Sequence, residues 1–261
     1  MKKIVGILLA TLLLFGVACA AEPVDLTTYT DAELLALVEQ AGAELRARNT
    51  PVMSDDPLAD LHYASNGKEV RINAYVGTSG DVYIPDEIDG VPVTRLYDKA
   101  FLNTVITSLR LPAGLVSIGE SGVQGTYHLE DVLVLPRTLQ LLDSCAFRFS
   151  DIAGVVLQSD CQLRYWTFAN CDRLQFCYIR KGYAVTLGEK AFMNARALET
   201  VVIPADVTLI DATAFEGCHF VTVYCPAGSY AEQFCLENFI VCDTANYEAM
   251  VAYYEALYPA E

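Results

Sequence analysis

Leu198-Glu199-Thr200-Val201-Val202-Ile203-Pro204, followed by Val207, Ile210, Ala214, Phe215 and Cys218, is the clearest of several copies of one pattern. Its strand signal, Val201-Val202-Ile203, is β-branched throughout and is closed by a proline with no N–H for a ladder. The same closure recurs at Val82-Tyr83-Ile84-Pro85, Leu109-Arg110-Leu111-Pro112 and Leu133-Val134-Leu135-Pro136. Degenerate copies stand at Val155-Val156-Leu157-Gln158 and Cys177-Tyr178-Ile179-Arg180. The anchor position thus runs 85, 112, 136, 158, 180, 204, in steps of 27, 24, 22, 22 and 24.

A second landmark keeps the same beat: Ala100-Phe101, Gly122-Val123, Ala146-Phe147, Thr167-Phe168, Ala191-Phe192 and Ala214-Phe215, at steps of 22, 24, 21, 24 and 23. Two landmarks in phase make a chance pattern untenable. A unit of about 23 residues cannot bury its own apolar face, so it must stack on its copies, with strands about 4.8 Å apart.

These residues resemble the BspA-like leucine-rich repeats of bacterial surface proteins, whose unit reads Leu-x-x-Val-x-Ile-Pro-x-x-Val-x-x-Ile-Gly-x-x-Ala-Phe. Tyr75-Val76-Gly77 through Val91-Pro92-Val93 is similar to that family's first repeat. Val223-Tyr224-Cys225-Pro226-Ala227-Gly228-Ser229-Tyr230-Ala231-Glu232 is similar to its closing turn and helix. The resemblance implies a repeat solenoid, a β-rich right-handed coil of six or seven repeats over residues 62–242. Two copies depart from the pattern: the one at Gln158 and Cys161 lacks its proline, and Gly122-Val123 replaces Ala-Phe.

Ahead of the coil, Thr30-Asp31-Ala32-Glu33 reads as a capping box, and Leu34, Leu35, Leu37, Val38, Ala41 and Leu45 recur at helical spacing. An N-terminal amphipathic helix is expected within residues 21–50. A linker over 51–61 follows, with Pro51 and Pro57, and a C-terminal helix is expected within 243–261, at Tyr247 to Tyr258. Capping of the terminal rungs is the simplest role for both ends.

Residues 1–20 have the basic, apolar, small-residue order of a signal peptide: Lys2 and Lys3, then Ile4 to Val17, then Ala18-Cys19-Ala20. Cleavage is expected after Ala20. A second reading makes Cys19 a lipidated first residue, since Gly16-Val17-Ala18-Cys19 loosely resembles a lipobox. The apolar run is shorter than the ~20 residues of a spanning helix, and no membrane span is expected. Loss of Lys2 and Lys3 would leave 15 basic against 33 acidic residues, a formal charge of −18. Such a field repels nucleic acid and anionic membranes.

Because side chains alternate along a strand, the residue between two inward ones points out. That assigns Tyr83, Arg110, Val134, Val156, Tyr178, Val202 and Thr222 to the outer face as the candidate binding surface. Val134, Val156, Tyr178 and Val202 would lay an apolar stripe on solvent, the mark of an interaction site, unless the N-terminal helix folds over it. The 15 tyrosines of the chain suit recognition, since each combines a rigid ring with a polar tip.

Catalytic chemistry is not expected. His62, His128 and His219 lack the paired spacings of a metal site or a triad. His128-Leu129-Glu130-Asp131 reads as a polar turn between repeats, no Gly-x-Ser-x-Gly elbow occurs, and the acids are scattered, not clustered as a hydrolase would need. No cofactor or metal is implied. Of the cysteines beyond residue 20, Cys171 and Cys218 lie two rungs apart, about 10 Å, too far for a bridge. Cys177 reads as a small buried hydrophobe, whereas Cys225, Cys235 and Cys242 are close enough in sequence to supply one bridge. The expectation is a monomeric extracellular or cell-surface binding module for a protein or glycan. The alternative is an envelope-tethered lipoprotein scaffold with no ligand of its own.

Overall fold

In a computed structural model of the chain, the structure describes residues 58–78 and 80–259, with Ala36 alone ahead of them in helical conformation. The expected signal peptide, Cys19, the N-terminal helix apart from Ala36, and the linker up to residue 57 lie outside the described residues. The chain divides into two compact units, Pro51–Ala245 and a second made of Met1–Thr50 with Asn246–Glu261.

The larger unit is the solenoid, and every repeat contributes two short strands to two separate sheets. The strands ending at the proline anchor are β3 (Asp81–Tyr83), β6 (Ser108–Arg110), β8 (Val132–Val134), β10 (Gly154–Leu157), β12 (Phe176–Ile179), β14 (Thr200–Val202) and β16 (Thr222–Tyr224). β17 (Val241–Asp243) adds a last rung. They pair in parallel as β3-β6 and, separately, as β8-β10-β12-β14-β16-β17. The copies that lost the proline keep the strand and its register, Val155 opposite Cys177 and Leu157 opposite Ile179. Proline closes the rung but is not needed to form it.

The second sheet begins with the antiparallel pair β1 (Leu61–Ser65) and β2 (Val70–Tyr75). It continues in parallel through β5 (Val91–Leu96), β7 (Ser117–Ile118), β9 (Leu141–Leu142), β11 (Gln162–Leu163), β13 (Thr186–Leu187) and β15 (Leu209–Ile210), while β4 (Glu87–Ile88) folds back on β5. Each sheet buries alternate residues between the two. Leu133, Val155, Cys177, Val201 and Val223 meet Ile118, Leu142, Leu163, Leu187 and Ile210 in one continuous core.

The Ala-Phe landmark forms the turn that returns the chain. Phe147, Phe168, Phe192 and Phe215 stack with ring centroids 5.3, 5.4 and 5.5 Å apart, close to the rung spacing itself. Tyr75 begins the row on Phe101, Phe234 ends it edge-on to Phe215, and Val123 interrupts it. The turn is tight because two residues in each coil but the last adopt left-handed backbone, one just before the Ala or its substitute and one two after the Phe or its substitute; the last coil keeps only the later one. The later position is filled by Asn103, Gly125, Phe149, Asn170, Asn194 and Gly217, all at positive φ. Asn and Gly are the residues that tolerate it; Phe149 is the exception.

After β16 the chain forms α1 (Tyr230–Glu237), capped by the Ser229 hydroxyl accepting the Glu232 N–H. α1 buries Ala231, Phe234 and Cys235. In the second unit α2 (Tyr247–Leu257) occupies the stretch expected to be helical, with Tyr247, Met250, Val251, Tyr253, Tyr254 and Leu257 buried.

Candidate binding surfaces

The strand register fixes the outer row of the first sheet as Tyr83 beside Arg110, then Val134, Val156, Tyr178, Val202, Tyr224 and Asp243 in sequence. Thr222 therefore does not belong to this row. It stands opposite Thr200, two residues earlier on its strand, and Tyr224 takes the place expected for it.

The row is broken between Arg110 and Val134, because the Asp131 carboxylate accepts the Leu109 N–H at 3.3 Å where a neighbouring strand would have supplied a carbonyl. Burial pushes the Asp131 carboxyl up to about 6, against the lowering effect of that hydrogen bond. The polar turn His128–Asp131 is thus also the point where the first sheet divides.

Exposure along the row is not uniform. Arg110 and Val134 are exposed and Tyr83 is half-buried, whereas Val156, Tyr178 and Val202 have no solvent-accessible surface. The apolar stripe expected on solvent is closed at those three positions, in accord with the cost of leaving contiguous apolar surface on water. In the same sheet the Phe176 ring lies over Gly154: a Cβ there would stand 2.2 Å from the ring.

On the outer face of the second sheet, the first rungs form a groove of about 630 Å³. Arg71 and Arg95 occupy adjacent rungs in register and both are exposed. The Arg71 guanidinium lies 4.5 Å from the centre of the Tyr97 ring. It has no carboxylate partner among the described residues. Arg95 donates to Glu69 at 3.3 Å; the Thr94 hydroxyl and then Arg95 hold that carboxyl below its usual range.

The groove's other acids are engaged elsewhere. Asp98 accepts the Glu120 N–H at 3.0 Å, and Asp143 accepts the Ser144 N–H at 2.7 Å. An arginine over a tyrosine recurs on the first sheet, with Arg110 5.1 Å from the Tyr83 ring centre. Arg71 and Arg95 were open to detection, since they lie 24 residues apart, one repeat step, outside the strand used for alignment.

The cysteines separate into two groups. Cys171 and Cys218 donate their S–H to the carbonyls of Phe147 and Phe192, each at 3.0 Å, and Cys177 is fully buried in the strand interior. Cys225 and Cys242 instead stand with sulfurs 3.3 Å apart. Among the described residues no group of three His, Cys, Asp or Glu could hold a metal ion, and no helix is long and apolar enough to cross a membrane.

Residues 94–222 match the model of the BspA type leucine rich repeat region, in six copies. This is a BspA-type leucine-rich-repeat protein. Among solved structures, the chain is similar to a leucine-rich cell surface protein of Faecalibacterium prausnitzii at 19% identity and a TM-score of 0.51, over 68% of this chain and 55% of that one. It is similar also to the leucine-rich repeat protein of T. pallidum at 25% identity and a TM-score of 0.48, over 66% and 71% of the two chains. No curated protein matches it significantly. In the BspA-type repeat the proline, the Gly or Asn turn positions and the Ala-Phe pair all serve the coil.

Proposed function

We propose that this BspA-type chain is a non-catalytic binding module of the cell surface or of secreted material, recognising a protein or glycan through the open first rungs of its coil. The observation that carries this reading is the arginine pair Arg71 and Arg95. In a chain with 33 acidic and 17 basic residues, two guanidiniums from adjacent rungs face one groove, and only Arg95 is neutralised there, by Glu69. Arginine presents a planar fork that pairs a carboxylate through two parallel hydrogen bonds.

Tyr97 beside Arg71 adds rigid ring surface at low entropic cost; Tyr83, Arg110 and exposed Val134 stand on the outer face of the other sheet, with the core between, as a second surface. The partner that fits offers carboxylates next to apolar or sugar-ring surface. Binding of the wild-type chain to arrays of immobilised glycans and proteins is expected to be lost in Arg71→Ala/Arg95→Ala and kept in Val134→Asp, on the other face, with unfolding midpoints unchanged. Binding that survives the arginine changes would refute this placement.

The scaffold alternative draws support from the closed positions Val156, Tyr178 and Val202, which leave less of the strand face for a ligand. It requires a diacylglycerol on Cys19. Intact mass of the exported protein distinguishes it from cleavage after Ala20.

A further inference from the structure

We infer that Cys225 and Cys242 form a disulfide that staples the last rung of the solenoid. Cys225 directly follows β16 and Cys242 lies in β17, opposite Val223. Their sulfurs are 3.3 Å apart, so side-chain rotation over little more than 1 Å brings them to bonding distance, about 2.05 Å. Cys235 also neighbours the Cys242 thiol, but the sulfurs that face each other at 3.3 Å are those of Cys225 and Cys242. Cys171 and Cys218 are committed to carbonyls two rungs apart.

The staple falls where the coil most needs one. β17 is the edge of its sheet, and Phe239 and Val241, just before and within it, are 97% and 63% exposed. An edge strand without a covering neighbour frays or pairs with another chain. The bridge closes the loop that contains α1, so opening the rung would then require moving the helix as well.

The third thiol, Cys235 on α1, is buried and close enough to both to feel their charge. Burial first, then the Cys242 thiol, pushes Cys225 up to about 12, and burial pushes Cys235 to about 12. Cys242 is only partly buried, and is the thiol a donor can reach.

With glutathione disulfide as oxidant, the Cys242 thiolate attacks one donor sulfur and expels a glutathione thiolate. The Cys225 thiolate then attacks the Cys242 sulfur and expels the second. The two protons lost by the cysteines pass to the two glutathione thiolates, giving one protein disulfide and two glutathione thiols. Few Cys225 thiols are ionised at neutral pH, so closure in the folded chain is slow and accelerates with pH.

The test incubates the purified full chain with glutathione disulfide without denaturant, alkylates the remaining thiols and maps the peptides by mass spectrometry. A Cys225–Cys242 linked peptide is expected, with a mass 2 Da below the two free peptides, together with an unfolding midpoint about 5 °C above the reduced chain. Cys235→Ser should keep both results, and Cys225→Ser should abolish both. Full alkylation of Cys225 and Cys242 after oxidation, a wild-type link through Cys235, or an unchanged midpoint would each overturn the inference.

Discussion

Asp131 holds the Leu109 N–H at the point where the first sheet divides, and its carboxyl, raised by burial to about 6, titrates near 3.8 when unperturbed. Between those values the folded chain keeps a proton that the unfolded chain has released. Stability from this group is therefore complete below pH ~4 and declines as pH rises toward 6. Asp131→Asn retains the acceptor oxygen and cannot ionise. It is expected to flatten the fall in melting midpoint between pH 4 and 6 and to raise the midpoint at pH 7; an unaltered slope in circular-dichroism melts would contradict this.

Phe149 is the other residue out of keeping with its place. It takes left-handed backbone at φ 61° where the other coils use Asn or Gly, an arrangement that costs a bulky L-residue about 1–2 kcal/mol. Its ring gains the Arg148 guanidinium at 4.5 Å, which also lies 4.0 Å from the Trp166 ring centre. Backbone strain outweighs one partly exposed cation–ring contact of ~0.5–1 kcal/mol. Phe149→Gly is thus expected to stabilise the chain by up to about 1 kcal/mol in urea unfolding.

At the scale of the element, the phenylalanine row shows what the repeat makes legible. Ala-Phe at constant phase identifies a buried position in every coil, and each member is buried. The spacing of the copies could not reveal the ring-on-ring stacking at 5.3–5.5 Å, which follows from the rung separation. Phe168, between Phe147 and Phe192, loses two ring contacts and a full side-chain volume on change to Ala. A loss of about 3–5 kcal/mol is expected by denaturant unfolding.

The second row of strands was legible only as the Val-x-x-Ile-Gly part of the consensus. Each of β7, β9, β11, β13 and β15 has two residues, too few for any alternation to register. Gly154 was equally silent, although the Phe176 ring occupies the space where its Cβ would lie.

At the scale of the whole molecule, the coil itself was almost fully written in the repeat, because each unit states the same solution and two landmarks check each other. The surface was not. Alternation along a strand tells which side chains share a row, and the strand register sets Tyr83 opposite Arg110, and Val134, Val156, Tyr178 and Val202 opposite one another. It carries no information on whether a row is open to solvent, and Val156, Tyr178 and Val202 are buried.

The break at Asp131 was hidden for a related reason, since an acid in a turn and an acid replacing a ladder carbonyl look alike in one dimension. What emerges is a coil whose early rungs present Arg71, Arg95, Tyr83, Arg110 and Val134, while Val156, Tyr178 and Val202 in the middle of the strand face are buried.

That division can be measured directly by comparing Val134→Glu with Val202→Glu in thermal and urea unfolding. A charge at open Val134 should leave stability within about 0.5 kcal/mol of wild type, whereas a charge forced into the closed site at Val202 should cost about 4 kcal/mol or more. Equal, small effects at both positions would mean that the strand face is open along its whole length, and would contradict the proposed confinement of recognition to the first rungs.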